Sequence, residues 1–319
     1  MISKKYLIIL NPHAAGGRAG QEWANIEKEL QRAGLDYQMV STQSTGQAVS
    51  IASRIATSID DIEHHNQVIL VIGGDGTLQE VLNGAKSVNR KHLIPIAYLP
   101  FGSGNDFARA TEIPRDWKKA LIEMTAVRVQ KTLNIGIYHN NLNNKTRYFV
   151  NSLGVGFDAD VVRLANNSNM KMQLNKLKLG SLTYLFFIPK VFFRQKGYPI
   201  QIEYDGVQKN YNNVFLTTMS NHQYFGGGIK ILPGAAMNEP SLDLIVAEKM
   251  NFISLLFMFI MLKIGGRHLK FKKVHAFKFE NKVKVRIASI EVIQIDGETV
   301  EPSSLNATFS TTTYPFWIR

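Results

Sequence analysis

Residues Val68 to Thr77 read VILVIGGDGT, an apolar and mostly β-branched run that ends in Gly-Gly-Asp-Gly-Thr, and LQEVLNGAK follows with helical spacing. That order predicts strand, tight turn, helix. Glycines at 73, 74 and 76 tolerate positive φ and let a ligand approach the backbone, while the amides of a helix start point at an anion. Asp75 sets a carboxylate in this phosphate-friendly turn. A carboxylate beside phosphates implies a bound cation or a reacting hydroxyl, which points to phosphoryl transfer more than to nucleotide holding alone. A structural βα loop reads the same way from this stretch, so the rest of the chain has to decide.

Working outward, Ile94 to Leu99 (IPIAYL) predicts a second buried strand that runs into PFGSGNDFAR. Pro100 ends the pairing, Gly102, Ser103, Gly104 and Asn105 make a polar turn, and Asp106 and Arg109 open a helix. Upstream, LIILNPHAAGGRA supplies a first strand and a loop with Asn11, Gly16, Gly17 and Arg18. Strands are expected near 5–10, 36–41, 68–72 and 94–99, with helices near 18–33, 46–57 and 77–87. This is an open α/β domain, in which ligands gather at the carboxyl ends of strands. The turns Asn11–Arg18, Thr42–Gly46, Gly73–Thr77 and Gly102–Asp106 should therefore converge on a nucleotide site. After about Leu133 the pattern changes to short alternating runs, YFVNSL, PIQIEY, NVFLTTM, LDLIVAE, HAFKFE and VIQIDG, which predict a β-rich second domain.

The pair VIGGDGTLQEVLNG and PFGSGNDFAR resembles the diacylglycerol kinase catalytic family, in its bacterial lipid-kinase branch. FVNSLGVGFDADV, SNHQYFGGGIKILPGA and IQIDGETV are similar to later blocks of the same family, in the same order. The resemblance implies a Rossmann-like nucleotide-binding domain (1–133) followed by a β-sandwich-like lipid-substrate domain (134–306), the NAD kinase/diacylglycerol kinase-like fold. It also implies that the last segment, 307–319, returns to the first domain. ATP and Mg²⁺ are the implied cofactors and a hydroxyl of a membrane lipid, diacylglycerol first, the implied acceptor.

Moving a γ-phosphoryl group to a hydroxyl needs phosphate cradling, a divalent cation and a base. The glycine turns supply the first, with Arg18 for charge and Thr42, Thr77, Ser103, Asn105 and Asp106 as further contacts; Asn105 is the best of these for the nucleotide, and Glu80 and Asn83 fix the helix after the first turn. No GxxxxGK[ST] and no protein-kinase signature occurs. In IQIDGETV, Asp296 and Glu298 end a strand on either side of one glycine, a pattern that also reads as a hairpin turn. The resemblance places them at the catalytic position: Asp296 as general base, Glu298 in support, facing Asp75 across an interdomain cleft. It further implies an acidic second metal site. Here the matching segment is NEPSLD, where Glu239 and Asp243 keep carboxylates but Asn238 and Pro240 break the pattern. The histidines, His64 and His65 included, show no ligand spacing.

A net charge of +12, from 37 basic and 25 acidic residues, suits an anionic partner, and the absence of cysteine excludes disulfides and thiolate-held zinc. From Met170 to Lys196, basic residues such as Lys176, Lys178, Lys190 and Arg194 interleave with large apolar ones, as in a core-facing helix pair or a membrane-docking surface. Phe252 to Ile264 (FISLLFMFIMLKI) is apolar nearly all round, between Asn251 as N-cap and a Gly265-Gly266 stop. At about 1.5 Å per residue it spans roughly 20 Å, short of the ~30 Å hydrocarbon core, so it is a buried or interfacial helix. The expectation is a cytoplasmic protein reversibly bound to the inner membrane face, with a lipid substrate and an anionic membrane surface as partners, no nucleic acid, and homodimers by analogy with the family. Open alternatives are an NAD kinase-like enzyme, which shares a GGDG turn, and a non-catalytic module that binds anionic lipid or nucleic acid. A dinucleotide-dependent dehydrogenase is weakened by the lack of a strand ending in GxGxxG.

Overall fold

The computed structural model describes residues 4–59, 66–166 and 183–319. His64, His65, Lys171, Lys176 and Lys178 lie outside them. The chain forms two compact units, Met1–Leu133 with Thr313–Arg319, and Asn134–Thr312.

In the first unit, β1 (Lys5–Leu10), β2 (Asp36–Ser41), β3 (Gln67–Gly73) and β4 (Ile96–Pro100) pair in parallel in the order β4-β3-β1-β2, and Phe316 continues the sheet beside Ile96. β1 and β3 are near-continuous apolar runs because a parallel sheet is covered on both faces. Tyr6, Ile8 and Leu10 pack with α1 (Arg18–Arg32), α5 (Trp117–Ala126) and Trp317. α2 (Gln47–Ser58) and α3 (Asp75–Lys86) pack on each other so closely that a Cβ on Gly84 would stand 2.2 Å from the Val49 carbonyl oxygen. Because the chain leaves β1 toward β2 but leaves β3 toward β4, the strand order reverses between β1 and β3. A crevice opens at such a reversal, outside the carboxyl ends of the strands.

The second unit is antiparallel and its strands are longer than the sequence runs suggest. β5 (Lys131–Asn140), whose first residues belong to the first unit, pairs with β6 (Lys145–Phe149); then come β7 (Ser152–Gly156), β8 (Tyr198–Tyr204) and β9 (Val207–Ser220). β10 (Tyr224–Phe225) and β11 (Ile229–Lys230) form a small separate hairpin, followed by β12 (Leu242–Glu248), β13 (Val274–Phe279), β14 (Val283–Ile295) and β15 (Glu298–Phe316). Both β9 and β14 pair with β8 along one half and with β7 along the other. β14 shifts register between Ile287 and Glu291, and such bulges let one strand bend and serve two layers. Phe149, Tyr198, Leu244, Val285 and Phe309 fill the space between. Among the described residues, the α-helices of this unit are α6 (Phe157–Asn166), α7 (Thr183–Arg194, with Pro189 inside it) and α8 (Phe252–Lys263).

Candidate active site

In the first unit the four glycine-rich turns are tied to one another by side chains that the sequence singled out. Asn11, at the strand-order reversal, donates from Nδ2 to Thr77 Oγ1 at 3.0 Å and accepts the His13 amide on Oδ1. Glu80 accepts the amides of Gly46 and Ala48 at 2.8 and 3.2 Å, so it joins α3 to the turn that holds Thr42. Thr42 itself is buried and its amide closes on the Leu10 carbonyl. The GGDGT and FGSGN turns meet backbone to backbone: a Cβ on Gly102 would stand 3.0 Å from Gly74 Cα and 2.6 Å from Asn105 Oδ1. Only glycine lets the two chains come this close.

Asp75 opens α3, and its carboxylate accepts the amides of Asp106 and Phe107 at 3.4 and 3.3 Å. These are long contacts from the start of the next helix, α4 (Asp106–Ala110). Asp106 is paired with Arg109 at 2.5 Å. Asn105 is 3 % exposed at φ +52°, and its amide accepts the Gly102 N–H on Oδ1 and donates from Nδ2 to the Gly102 carbonyl, so it shapes the turn. Tyr98 donates to the same Oδ1 at 3.4 Å; burial first, then the charges of Asp75 and Asp106, hold its phenol well above the usual range, so it stays a donor. Arg18 follows Gly16 and Gly17, both at positive φ, and its guanidinium lies 5.5 Å from the Phe101 ring centroid with a buried Nε that has no partner. An unsatisfied buried donor beside glycine turns suits an anion. One carboxylate, Asp75, with phosphates close by is also a donor set that fits Mg²⁺, which commonly keeps most of its shell for phosphate and water.

In the second unit Asp296 and Gly297 are the two loop residues of the β14–β15 hairpin, at φ +50° and +85°, with Ile295 paired to Glu298. The hairpin reading of IQIDGETV therefore holds. Asp296 is 4 % exposed, and its Oδ1 accepts the amides of Asn151 and Ser152 at 2.8 and 2.9 Å while Oδ2 accepts that of Val150 at 2.9 Å. YFVNSL was expected as one strand. It is instead β6 and β7 with a break at Val150 and Asn151, and the break is what turns three consecutive amides onto the carboxylate. The SNH of SNHQYFGGG clamps that break: Asn221 donates to the carbonyls of Val150 and Asn134, and His222 Nε2 sits 2.7 Å from Asn151 Oδ1. Because His222 Nδ1 accepts the Tyr224 amide, the ring proton is on Nε2. The signal for these residues was present as polar positions inside a strand-like run. Glu298, the first residue of β15, is exposed. Gly226, Gly227 and Gly228 all have positive φ and join β10 to β11.

Asp158, in the block FVNSLGVGFDADV, was not singled out. It is fully buried, and desolvation lifts its carboxyl to about 7 against hydrogen bonds from Gln294 and Thr218 that act the other way. Its Oδ1 has no partner, and it lines an apolar cavity of about 90 Å³ with Val161, Phe215, Met258 and Leu262. Nothing local distinguishes it from any acid in a first helical turn.

The pair Glu239 and Asp243 does not fit a metal. Lys278 stands directly across from Asp243 in the β12–β13 ladder and its ammonium forms an ion pair with Glu239. A lysine is thus the cation of this cluster, and among the described residues no group of three or more His, Cys, Asp or Glu could hold a metal ion. Burial raises Asp243 to about 6, with Lys278 opposing that rise and Glu239 adding to it.

Comparison with known proteins finds matches in both units. Residues 5–136 match the family model described as diacylglycerol kinase catalytic domain, and residues 151–313 match the YegS C-terminal NAD kinase beta sandwich-like domain. The diacylglycerol kinase of Staphylococcus aureus (strain bovine RF122) is 31 % identical over 303 residues, 92 % of this chain and 86 % of that one. The diacylglycerol kinase of Bacillus subtilis is 27 % identical over 92 % of this chain and 90 % of its own. YtlR of B. subtilis, whose name assigns it to the lipid kinases without a stated lipid, is 28 % identical over 86 % of each chain. The crystal structure of a diacylglycerol kinase from Bacillus anthracis superposes with a TM-score of 0.73 at 20 % identity, over 99 % of this chain and 97 % of that one. The chain belongs to the diacylglycerol kinase catalytic-domain family, in the bacterial branch that carries a β-sandwich-like second domain, and is a lipid kinase.

Proposed function

We propose that this lipid kinase transfers the γ-phosphoryl group of ATP to the free hydroxyl of diacylglycerol, with Mg²⁺, giving phosphatidate. The observation that carries the reading is the amide-held carboxylate of Asp296, a buried group with fixed orientation at the tip of a hairpin. The three amides fix the direction of the carboxylate, and a general base in phosphoryl transfer needs a fixed orientation toward the acceptor hydroxyl. In the step, the hydroxyl O–H bond breaks toward Asp296, a new O–P bond forms, and the bond from γ-phosphorus to the bridging oxygen breaks to release ADP.

The turns at Gly16–Gly17, Gly73–Gly76 and Gly102–Gly104, with Arg18, are the proposed phosphate cradle. Asp75 is the proposed ligand for Mg²⁺, which when bound supplies charge neutralisation of the phosphates. Glu298, the residue after Gly297 in the same hairpin, is proposed to support Asp296. The acceptor is reached at the inner face of an anionic membrane, to which the protein binds reversibly.

The test is label transfer from γ-labelled ATP with Mg²⁺ into diacylglycerol, an extracted lipid mixture and NAD. Label in diacylglycerol that disappears in Asp75→Asn and Asp296→Asn supports the reading. Label in another lipid of the mixture replaces diacylglycerol as the acceptor, and label in NAD alone overturns the proposal.

A further inference from the structure

α8 has two apolar faces. Leu255, Met258 and Leu262 point into the second unit's core, as an ordinary packed helix requires. Ile253, Leu256, Phe257, Ile260 and Ile264 recur at the spacing of one helical face and are between 43 and 79 % exposed. Phe193 of α7, 70 % exposed, extends the patch, its ring 5.0 Å from that of Phe252. Beside it runs an open groove of about 920 Å³ lined by Pro189, Lys230, Leu256, Ile260 and Gly266. A contiguous apolar face of this size on a helix end of a domain marks an interaction surface.

Its chemistry names the partner. Among the described residues, the segments that border the patch, 183–196, 223–235 and 249–273, contain no Asp or Glu, and Lys190, Arg194, Lys196, Lys230, Arg267 and Lys270 stand exposed along them. An apolar stripe with an uncompensated basic rim complements an anionic bilayer, the stripe entering the acyl boundary and the rim meeting headgroups. A second copy of the chain is a poor occupant, because a two-fold contact would set the same basic rim against itself. We infer that the outer face of α8, with Phe193, is the element that docks this protein on an anionic membrane. The inference rests on the lipid-kinase reading for its purpose and on the patch for its location.

The experiment is co-sedimentation of the full chain with phosphatidylcholine vesicles, with and without phosphatidylglycerol. The native protein should sediment with the anionic vesicles, and the triple variant Ile253→Ser, Phe257→Ser, Ile260→Ser should bind about a hundredfold more weakly, since three side chains lose their apolar burial. These positions are exposed, so the thermal melt should be unchanged; a Phe257→Leu variant keeps the surface apolar and should bind as the native chain. Arg267→Gln with Lys270→Gln should lose the preference for anionic vesicles. No native binding, equal binding by the triple variant, or a native dimer in sedimentation velocity without lipid that the triple variant dissociates would each overturn the inference. Vesicle binding without label transfer to any lipid would leave the surface standing and remove the kinase reading's acceptor. Label transfer in detergent micelles without vesicle binding would do the reverse.

Discussion

Asp75 and Asp296 are both aspartates held by backbone amides, and the two regions hold them differently. Asp75 starts a helix after a glycine turn and takes two amides at 3.3–3.4 Å, whereas Asp296 sits at positive φ in a hairpin and takes three at 2.8–2.9 Å. Long contacts are weak and can be exchanged for a cation; short ones fix a direction. The comparison teaches that the main chain can hold one residue type loosely or firmly, a contrast that suits the metal-ligand role proposed for Asp75 and the base role proposed for Asp296.

The largest effect should come from the firmly held side. Asp296→Asn should lower turnover by about two to four orders of magnitude with an unchanged melting temperature; near-native turnover would remove the base from that hairpin. On the loosely held side, Asp75→Asn should raise the Mg²⁺ concentration for half-maximal rate by about 10- to 100-fold, read from rate against Mg²⁺ at saturating ATP. An unaltered Mg²⁺ curve would break the contrast between the two carboxylates. Gly102→Ala pushes a Cβ against Asn105 Oδ1 and Gly74. It should raise KM for ATP by about tenfold through misplacement of the turns, with lipid KM as the internal control.

Asp158 sharpens the comparison as a carboxylate whose desolvation outweighs its hydrogen bonds, those from the backbone of Asp158 and Ala159 included. Its folded value of about 7 lies above the ordinary 3.8, so stability present below pH 4 is lost progressively as pH rises toward 7. Asp158→Asn should flatten the melting temperature between pH 4 and 7, and the native chain should lose a few kcal/mol over that window; parallel curves for the two proteins would reject the assignment. The smallest effect is expected at Glu239→Gln. Lys278 already neutralises this carboxylate, so the Mg²⁺ dependence of turnover should not move. A shift there would reinstate a metal at Glu239 and Asp243.

Much of the first unit was legible. β1, β3 and β4 are continuous apolar runs between glycine turns, and a parallel sheet buried on both faces leaves no other way to write them. The glycines were legible because a close backbone approach admits one residue type. The fold-back of the Asn105 amide on Gly102 was not legible, since nothing in GSGND tells an amide turned to solvent from one turned to its own loop. The second unit was legible only as β-rich. The lengths of β9 and β14 depend on partners far apart in sequence, and the break at Val150–Asn151 lies inside a run that alternates like one strand.

By itself the sequence determined the strand-turn-helix order, the glycine turns, the hairpin at Asp296-Gly297 and the caps of α8, because these depend on local sterics and on donors within a few residues. The tertiary structure decided which amides Asp296 receives, that Lys278 pairs with Glu239, that Asp158 is desolvated, and which apolar face of α8 stays outside. Those are contacts between residues far apart in the chain, and burial and charge compensation exist only once the packing has chosen the neighbours.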